Sequence, residues 1–376
     1  MKNRLTKVRN LLAEQHLDAA VISSASNIIY LTGFFGFSKE GRDAYLLITK
    51  TKAYIFTNAL YSEAVYNNVP HFTLSEITPS SSFKDLLKKL TGKHILKRVG
   101  IEENDITVSE YKMLSSCFNN LDHFSVSGIR AVKEEKEIFA IKKACDIADK
   151  VFAHILNKLK SGVTEQEIAF EIEIFLKENG ADVSFPPIVA FGRNSSIPHH
   201  KSNNQKLITN NIVLLDFGAR YNGYCSDMTR TVFFGKATSE QKRMYQVVLD
   251  AQQKAIEFLT SYFHPERSRR VINHKSDSKT ASASKVDSMA REYIIQKGYP
   301  SIPHSLGHGI GLQVHEYPSL SPKSKDILRE GMVFSIEPGI YIPGKGGIRI
   351  EDLFTIQRGK LTQLTHSSNT FIELPT

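Results

Sequence analysis

Cysteine is scarce in this 376-residue chain: only Cys117, Cys145 and Cys225 are present, and no two form a CxxC pair. An odd, scattered set excludes a disulfide framework, so a reducing, cytoplasmic setting is expected. Long apolar runs are also missing. None approaches the roughly 18–20 residues needed to cross a bilayer, so no membrane partner is expected. The N-terminal MKNRLTKVRNLLAEQHLDAAVIS is basic but lacks a continuous apolar segment and a small-residue cleavage site. It reads as an amphipathic helix followed by a strand, not a signal peptide. Acidic residues are outnumbered, 39 to 48, for a net charge of +9. The excess is mostly dispersed, as on a lysine-rich solvated surface, and nucleic acid is not an expected partner.

What is there is ordinary for a soluble globular protein, with 41% hydrophobic and 23% charged residues. The length predicts two domains. One stretch departs from the dispersed charge: residues 261–279, SYFHPERSRRVINHKSDSK, hold five Lys/Arg against two acids. It has no helical or strand periodicity and is read as a surface insertion between a helix ending near Leu259 and one beginning near Ser284. A nucleic-acid role for it would show as affinity falling steeply with salt.

The first 130 residues mix short strands (DAAVIS, AYLLIT, KAYIFT) with helical stretches such as SSFKDLLKKL, an α/β pattern. The second half opens on EEKEIFAIKKACDIADKVFAHILNKLK, where Ile138, Ile141, Ala144, Ile147 and Val151 recur every three or four residues and predict one buried face. Thr164 with Glu167 and Thr238 with Gln241 form capping boxes that start two further helices, the first stopped by Gly180. Strand-like runs intervene: IVLLDFGARY, YCSDMTRTVFF, MVFSIEPGIYI and GIRIEDLFTI. Antiparallel strands backed by helices make this half α+β.

Asn222–Gly223 is a strong hairpin signal, because a type I′ turn needs positive φ at both central residues. A two-residue loop there pairs Tyr221 with Tyr224 and Asp216 with Thr229. Asp227, two residues from Thr229, then shares a face with Asp216. Burying both carboxylates is costly unless they are compensated, either by Arg220 or Arg230 or by a divalent cation. A second Pro/Gly-rich turn centred near Gly344 would set Glu337 opposite Glu351. Four inward carboxylates need positive charge, and two ions sharing bridging carboxylates would employ all four. His308, in a glycine-flanked turn of GHGIGLQVHE, supplies a single nitrogen ligand, and the glycines permit close backbone approach. Such oxygen-rich ligation suits manganese, cobalt or zinc. A rival is a mononuclear zinc site of His304, His308 and His315. Ser305 stands where that pattern needs a general-base glutamate, and three glycines argue against its helix.

In order, DFGARYNGYCSDMTRT, HSLGHGIGLQVHE, SIEPGIY and GGIRIED resemble the pita-bread metallopeptidases, which include methionine aminopeptidase, aminopeptidase P and prolidase. The resemblance covers about residues 130–376. It implies that Asp216 chelates one metal, that Asp227 and Glu351 bridge two, and that His308 and Glu337 complete the second. It implies two divalent cations, manganese first with cobalt or zinc as alternatives. PPIVAFGRNSSIPHH resembles the proline-peptidase segment and brings His199 into the site, with His200 beside it. His304 and Arg349 match positions filled in aminopeptidase P-like enzymes, though Arg349 could equally be a counter-ion for Glu351 or Asp352. SNIIYLTGFFGF resembles the creatinase-type N-terminal domain.

The fold implied is an α/β creatinase-like domain over 1–130 and an α+β pita-bread domain over 131–376, in a homodimer or larger. The activity implied is cleavage of proline-containing peptides between an N-terminal residue and a following proline. In it His315 and His199 would stabilise the oxyanion, and Glu337 would carry the proton to the leaving nitrogen. Prolidase action on dipeptides is the alternative, and a non-catalytic binding protein on the same fold a more distant one. TNALYSEA departs from the relatives' TDGRY, with Asn58 and Leu60 in place of an acid and a base.

Overall fold

Alternating apolar and β-branched residues set the strands of the N-terminal unit, Met1–Arg130. A computed structural model describes residues 2–38, 41–91, 96–263 and 280–376 of the chain. AAVI at Ala19–Ile22, fully buried, is the inner strand of a six-stranded mixed sheet. On one side it pairs antiparallel with Ala44–Thr49, then Ala53–Asn58, with Thr73–Ile77 parallel at the edge. On the other it pairs parallel with Arg98–Ile101, followed by Asn120–His123. The helix Lys2–Glu14 buries Leu5, Val8 and Leu12, three and four residues apart. Asn58 caps the helix Ala59–Asn68 by accepting from the Leu60 N–H at 3.0 Å, while the Leu60 side chain is exposed.

The second unit, Ala131–Thr376, repeats one theme twice: two helices laid on a sheet that carries a long hairpin. In the first half, helices Glu135–Leu156 and Glu165–Glu178 share a core with the sheet of Ile188–Phe191, Asn211–Phe217 and Met228–Phe234. Ile138, Ile141, Ala144, Ile147 and Val151 are all buried, as their spacing requires. Thr164 and Glu167 form the capping box, and Gly180 follows the helix at φ 73°. In the second half, helices Ser239–Phe263 and Ala283–Gln296 pack on the five-stranded sheet of Glu316–Leu320, Gly307–Gly309, Val333–Ile336, Asp352–Gln357 and Lys360–Gln363.

The helix expected to end near Leu259 continues to Phe263, whose ring is fully buried, so the first three residues of the basic run are helical. Its apolar spacing from Ala255 through Leu259 to Phe263 carries the turn on. The rest of that run, 264–279, lies outside the described residues. No helix among the described residues is long and apolar enough to cross a membrane.

Candidate metal centre

Two hairpins build the site. In the first, Asn222 and Gly223 have φ of 47° and 81°, as a type I′ turn demands. The register follows from the turn: Tyr221 faces Tyr224 and Asp216 faces Thr229. By the same register Asp227 stands opposite Gly218, where an added Cβ would lie 1.9 Å from the Ser226 carbonyl oxygen. Only glycine lets the strands close there. In the second hairpin Gly344 has φ 77°. Gly339 pairs with Arg349 inside the ribbon and Ile336 with Asp352 below it, so Glu337 and Glu351 stand opposite each other.

The hairpins are then stitched together. The Glu351 N–H donates to Thr229 O at 3.1 Å, and the Thr231 hydroxyl donates to Arg349 O at 2.9 Å. The buried Arg230 guanidinium donates to Glu351 O at 2.6 Å and pairs with Asp352 at 2.5 Å. Neither arginine considered for Asp216 and Asp227 reaches them. Arg230 is committed to Asp352, and Arg220 to the carbonyls of Ser184 and Leu312. Arg349 pairs with Asp216 instead, Nη2 to Oδ2 at 2.5 Å, rather than with Glu351 or Asp352.

His308 lies on a strand, Gly307–Gly309, not in the expected turn. The glycines serve strand packing: a Cβ at Gly307 would sit 2.0 Å from Ser335 O, and one at Gly309 2.2 Å from Tyr317 O. The Nδ1 of His308 lies 3.1 Å from the Gly309 carbonyl, to which it donates. Nε2 faces Glu337 at 3.2 Å and Asp227 at 3.7 Å. Burial is outweighed by the Glu337 hydrogen bond and charge, which raise His308 to about 9, so Nε2 carries a proton here that a bound cation would replace. Ligand atoms of Asp227, His308 and Glu351 all lie within 4.8 Å of one another, the single such cluster among the described residues. The three histidines of the zinc alternative form no cluster there.

Asp216 Oδ1, Asp227 Oδ1 and Glu351 Oε1 are buried without a hydrogen-bond partner. Two of the sister oxygens are engaged: Asp216 Oδ2 by Arg349, and Glu351 Oε2 by the Thr229 hydroxyl at 2.7 Å, itself an acceptor from Arg349 Nε at 2.9 Å. Burial, then the charges of Glu351, Asp216 and Glu337, push the Asp227 carboxyl well above its usual range. Burial, then Glu337 and Asp216, do the same to Glu351. Burial also raises Asp216, although Arg349 opposes it. For Glu337 burial is outweighed by the hydrogen bond and charge of His308, which bring it to about 2. Three orphaned carboxylate oxygens beside one oriented imidazole suit a hard divalent cation, which would supply the missing partner and positive charge. The residues present therefore fit a divalent cation centre.

A cavity of about 720 Å³ opens on this cluster and is lined by His199, His304, His315, Arg349 and all five carboxylate and imidazole candidates. His199 is exposed to it, whereas the neighbouring His200 is buried and turned away onto Glu165, Nε2 to Oε2 at 2.7 Å. Glu165 also accepts from the N–H of Phe191 and Asn203, which fixes the loop and with it His199. The His315 ring meets that of His308 edge to face, centroids 4.3 Å apart. Burial, then the His308 charge, lowers its pKa below the usual histidine value. His304 donates from Nδ1 to Ser305 O at 2.7 Å and accepts from the Tyr341 hydroxyl at Nε2, 2.9 Å.

Tyr341 is the residue that sequence reasoning passed over. It accepts from Arg349 Nη1 at 2.8 Å and so continues a chain from Asp216 through Arg349 to His304. An aromatic residue in an apolar strand reads as core, and only its neighbours in space reveal the hydroxyl's place. Tyr224 is buried, with its hydroxyl donating to buried Glu137 at 2.9 Å.

Comparison with known proteins points the same way. The profile of metallopeptidase family M24 matches residues 140–358, and that of the creatinase/prolidase N-terminal domain residues 4–135. The Xaa-Pro dipeptidase of Pyrococcus horikoshii is 33% identical over 380 residues, covering 99% of both chains. Among solved structures, the Xaa-Pro dipeptidase from Bacillus anthracis superposes with a TM-score of 0.87 at 31% identity over 99% of each chain. The X-Pro aminopeptidase from Thermotoga maritima gives 0.82 at 31% identity, over 98% of this chain and 99% of its own.

Proposed function

The chain belongs to metallopeptidase family M24 and is a hydrolase, and on that premise we propose that it is an Xaa-Pro aminopeptidase with a dinuclear metal site. The observation that carries the reading is the set of three buried, unpartnered carboxylate oxygens beside the His308 imidazole, whose Nε2 is turned toward the same carboxylates. Asp216, Asp227, His308, Glu337 and Glu351 would hold the two ions. Manganese is the proposed occupant, with cobalt or zinc as alternatives, in a homodimer or larger assembly. Bound divalent cations supply Lewis acidity and bring water toward ionisation at neutral pH.

The chain's own side chains do the rest. Glu337 Oε1 is engaged by the Ser335 hydroxyl and His308, which leaves Oε2 to take the water proton and deliver it to the departing prolyl nitrogen. His315 and His199 line the cavity and offer ring N–H groups to the oxygen that becomes negative at the scissile carbonyl. Arg349 and Tyr341 hold Asp216 and His304 in fixed relation at the cavity wall. Phe185, Ile188, Pro198 and Val314 give the cavity an apolar side suited to a proline ring, whose tertiary amide has no N–H to recognise.

Prolidase action is the second reading, favoured by the two dipeptidases among the relatives above. The test is hydrolysis of Ala-Pro and Ala-Pro-Ala by EDTA-treated protein with and without manganese. Metal-dependent cleavage of the tripeptide supports the aminopeptidase. Cleavage of the dipeptide alone makes it a prolidase, and cleavage of neither overturns the proline-directed reading.

A further inference from the structure

The segment that carries His315 is held from both ends. On its N-terminal side Gly311 O accepts from the Cys225 N–H at 2.8 Å, and Leu312 O accepts from Arg220 at 3.2 Å. On its C-terminal side Glu316 Oε1 receives the Lys133 ammonium at 2.7 Å, with side chains 7% and 1% exposed. This enclosed pair joins positions 183 residues apart. Lys133 is itself fixed, since its N–H donates to Gly331 O at 2.8 Å. Glu316 pairs with Gly309, and the strand register shifts between His308 and Gly309. The Glu316 carboxylate also lies over Gly311, where an added Cβ would fall 2.5 Å from Oε1.

Among the described residues the His315 ring has no hydrogen bond of its own. It touches His308 edge to face, and otherwise its direction follows from the backbone that Glu316 anchors. A buried ion pair is a poor stability device, because two charges must be desolvated and apolar side chains of the same volume avoid that cost. What such a pair does provide is one geometry. We infer that Lys133 and Glu316 form a positioning pair that sets His315 against the reacting carbonyl. The inference rests on the role given to His315 above. Lys133 does not line the cavity, whereas Glu316 does, so Lys133 acts on the site through Glu316 and the segment that Glu316 anchors.

The test is a double-mutant cycle on the full manganese-loaded chain: Lys133→Met, His315→Gln and the two combined, with kcat and KM measured on Ala-Pro-Ala and Ala-Pro. Lys133→Met is expected to lower kcat roughly 10- to 100-fold with little change in KM, the size expected when a catalytic group is misplaced by an ångström or less. In the His315→Gln background it is expected to cost nothing more. An equal loss in both backgrounds, or an unchanged kcat, overturns the inference. Should Lys133→Met fail to fold, Lys133→Met with Glu316→Leu leaves no lone charge buried and takes its place in the cycle. A readout free of any substrate separates this from the proposed function. The imidazole carbon–proton resonance of His315, recorded with diamagnetic zinc in place of manganese and assigned by its loss in His315→Gln, is expected to move or broaden in the Lys133 variant. If the wild type cleaves no Xaa-Pro peptide, that reading fails on its own. An unmoved His315 resonance then refutes the positioning pair, and a moved one sustains it.

Discussion

Replacing Asp227 by asparagine should stabilise the chain without metal and destabilise it with metal. In the metal-free protein the Asp227 carboxyl is buried beside Glu351, Asp216 and Glu337 and is pushed well above its usual range. A carboxyl raised by folding contributes stability that is complete below the unfolded value, about 4, and is lost as pH rises through the folded value. At neutral pH this cluster therefore opposes folding. Asparagine removes one like charge at nearly constant volume, which is worth about 2 kcal/mol against several for a fully buried lone charge. For a unit of about 250 residues that is roughly 4–8 °C in melting temperature. Metal at about 1,000 times its Kd stabilises the wild type by about 4 kcal/mol, or roughly 8–16 °C. The Asp227→Asn variant would offer no bridging carboxylate at this position and would forfeit most of that gain. Scanning calorimetry at neutral pH, in EDTA and in saturating manganese, should show the order of the two melting points invert. The same order in both conditions, or a metal-free variant that melts below the wild type, would refute the reasoning.

The Thr229 hydroxyl holds Glu351 Oε2 and leaves Oε1 free, so Thr229→Val should weaken manganese binding about 10- to 100-fold, measured by isothermal titration calorimetry. His199 and His200 should part company: His199→Ala lowers kcat/KM on Ala-Pro-Ala with an unchanged melting point. His200→Ala, which frees buried Glu165 from its partner, lowers the melting point as well. In the N-terminal unit burial pushes Glu110 up, but hydrogen bonds from Tyr45 and Thr107 and the Arg42 charge outweigh it and lower its pKa. Its contribution is therefore present above about pH 4.3 and lost as pH falls through the folded value. Glu110→Gln should lower stability at neutral pH and flatten the acid limb in urea unfolding followed against pH.

Much of the carboxylate geometry was legible in the sequence, because turn chemistry fixes register and register fixes faces. Asn222–Gly223 and Gly344 each determined which residues stand opposite, and Asp216, Asp227, Glu337 and Glu351 followed. What the two hairpins do to each other was not legible. Thr229 and Glu351 are 122 residues apart, and Arg349 and Asp216 are 133 apart, so no local pattern assigns those partners. Arg230 looked free to neutralise its own hairpin, yet Asp352 on the other one claims it. His308 was read as a turn residue because its glycines suggested irregular backbone. They are instead places where neighbouring strands approach too closely for any Cβ.

Metal stoichiometry tests the dinuclear site most directly. EDTA-stripped protein should be titrated with manganese while bound metal and cleavage of Ala-Pro-Ala are followed on the same sample. Activity is predicted to rise with occupancy and to level off at two ions per chain. Full activity in the stripped protein, or no manganese bound by a folded wild type, would contradict that site.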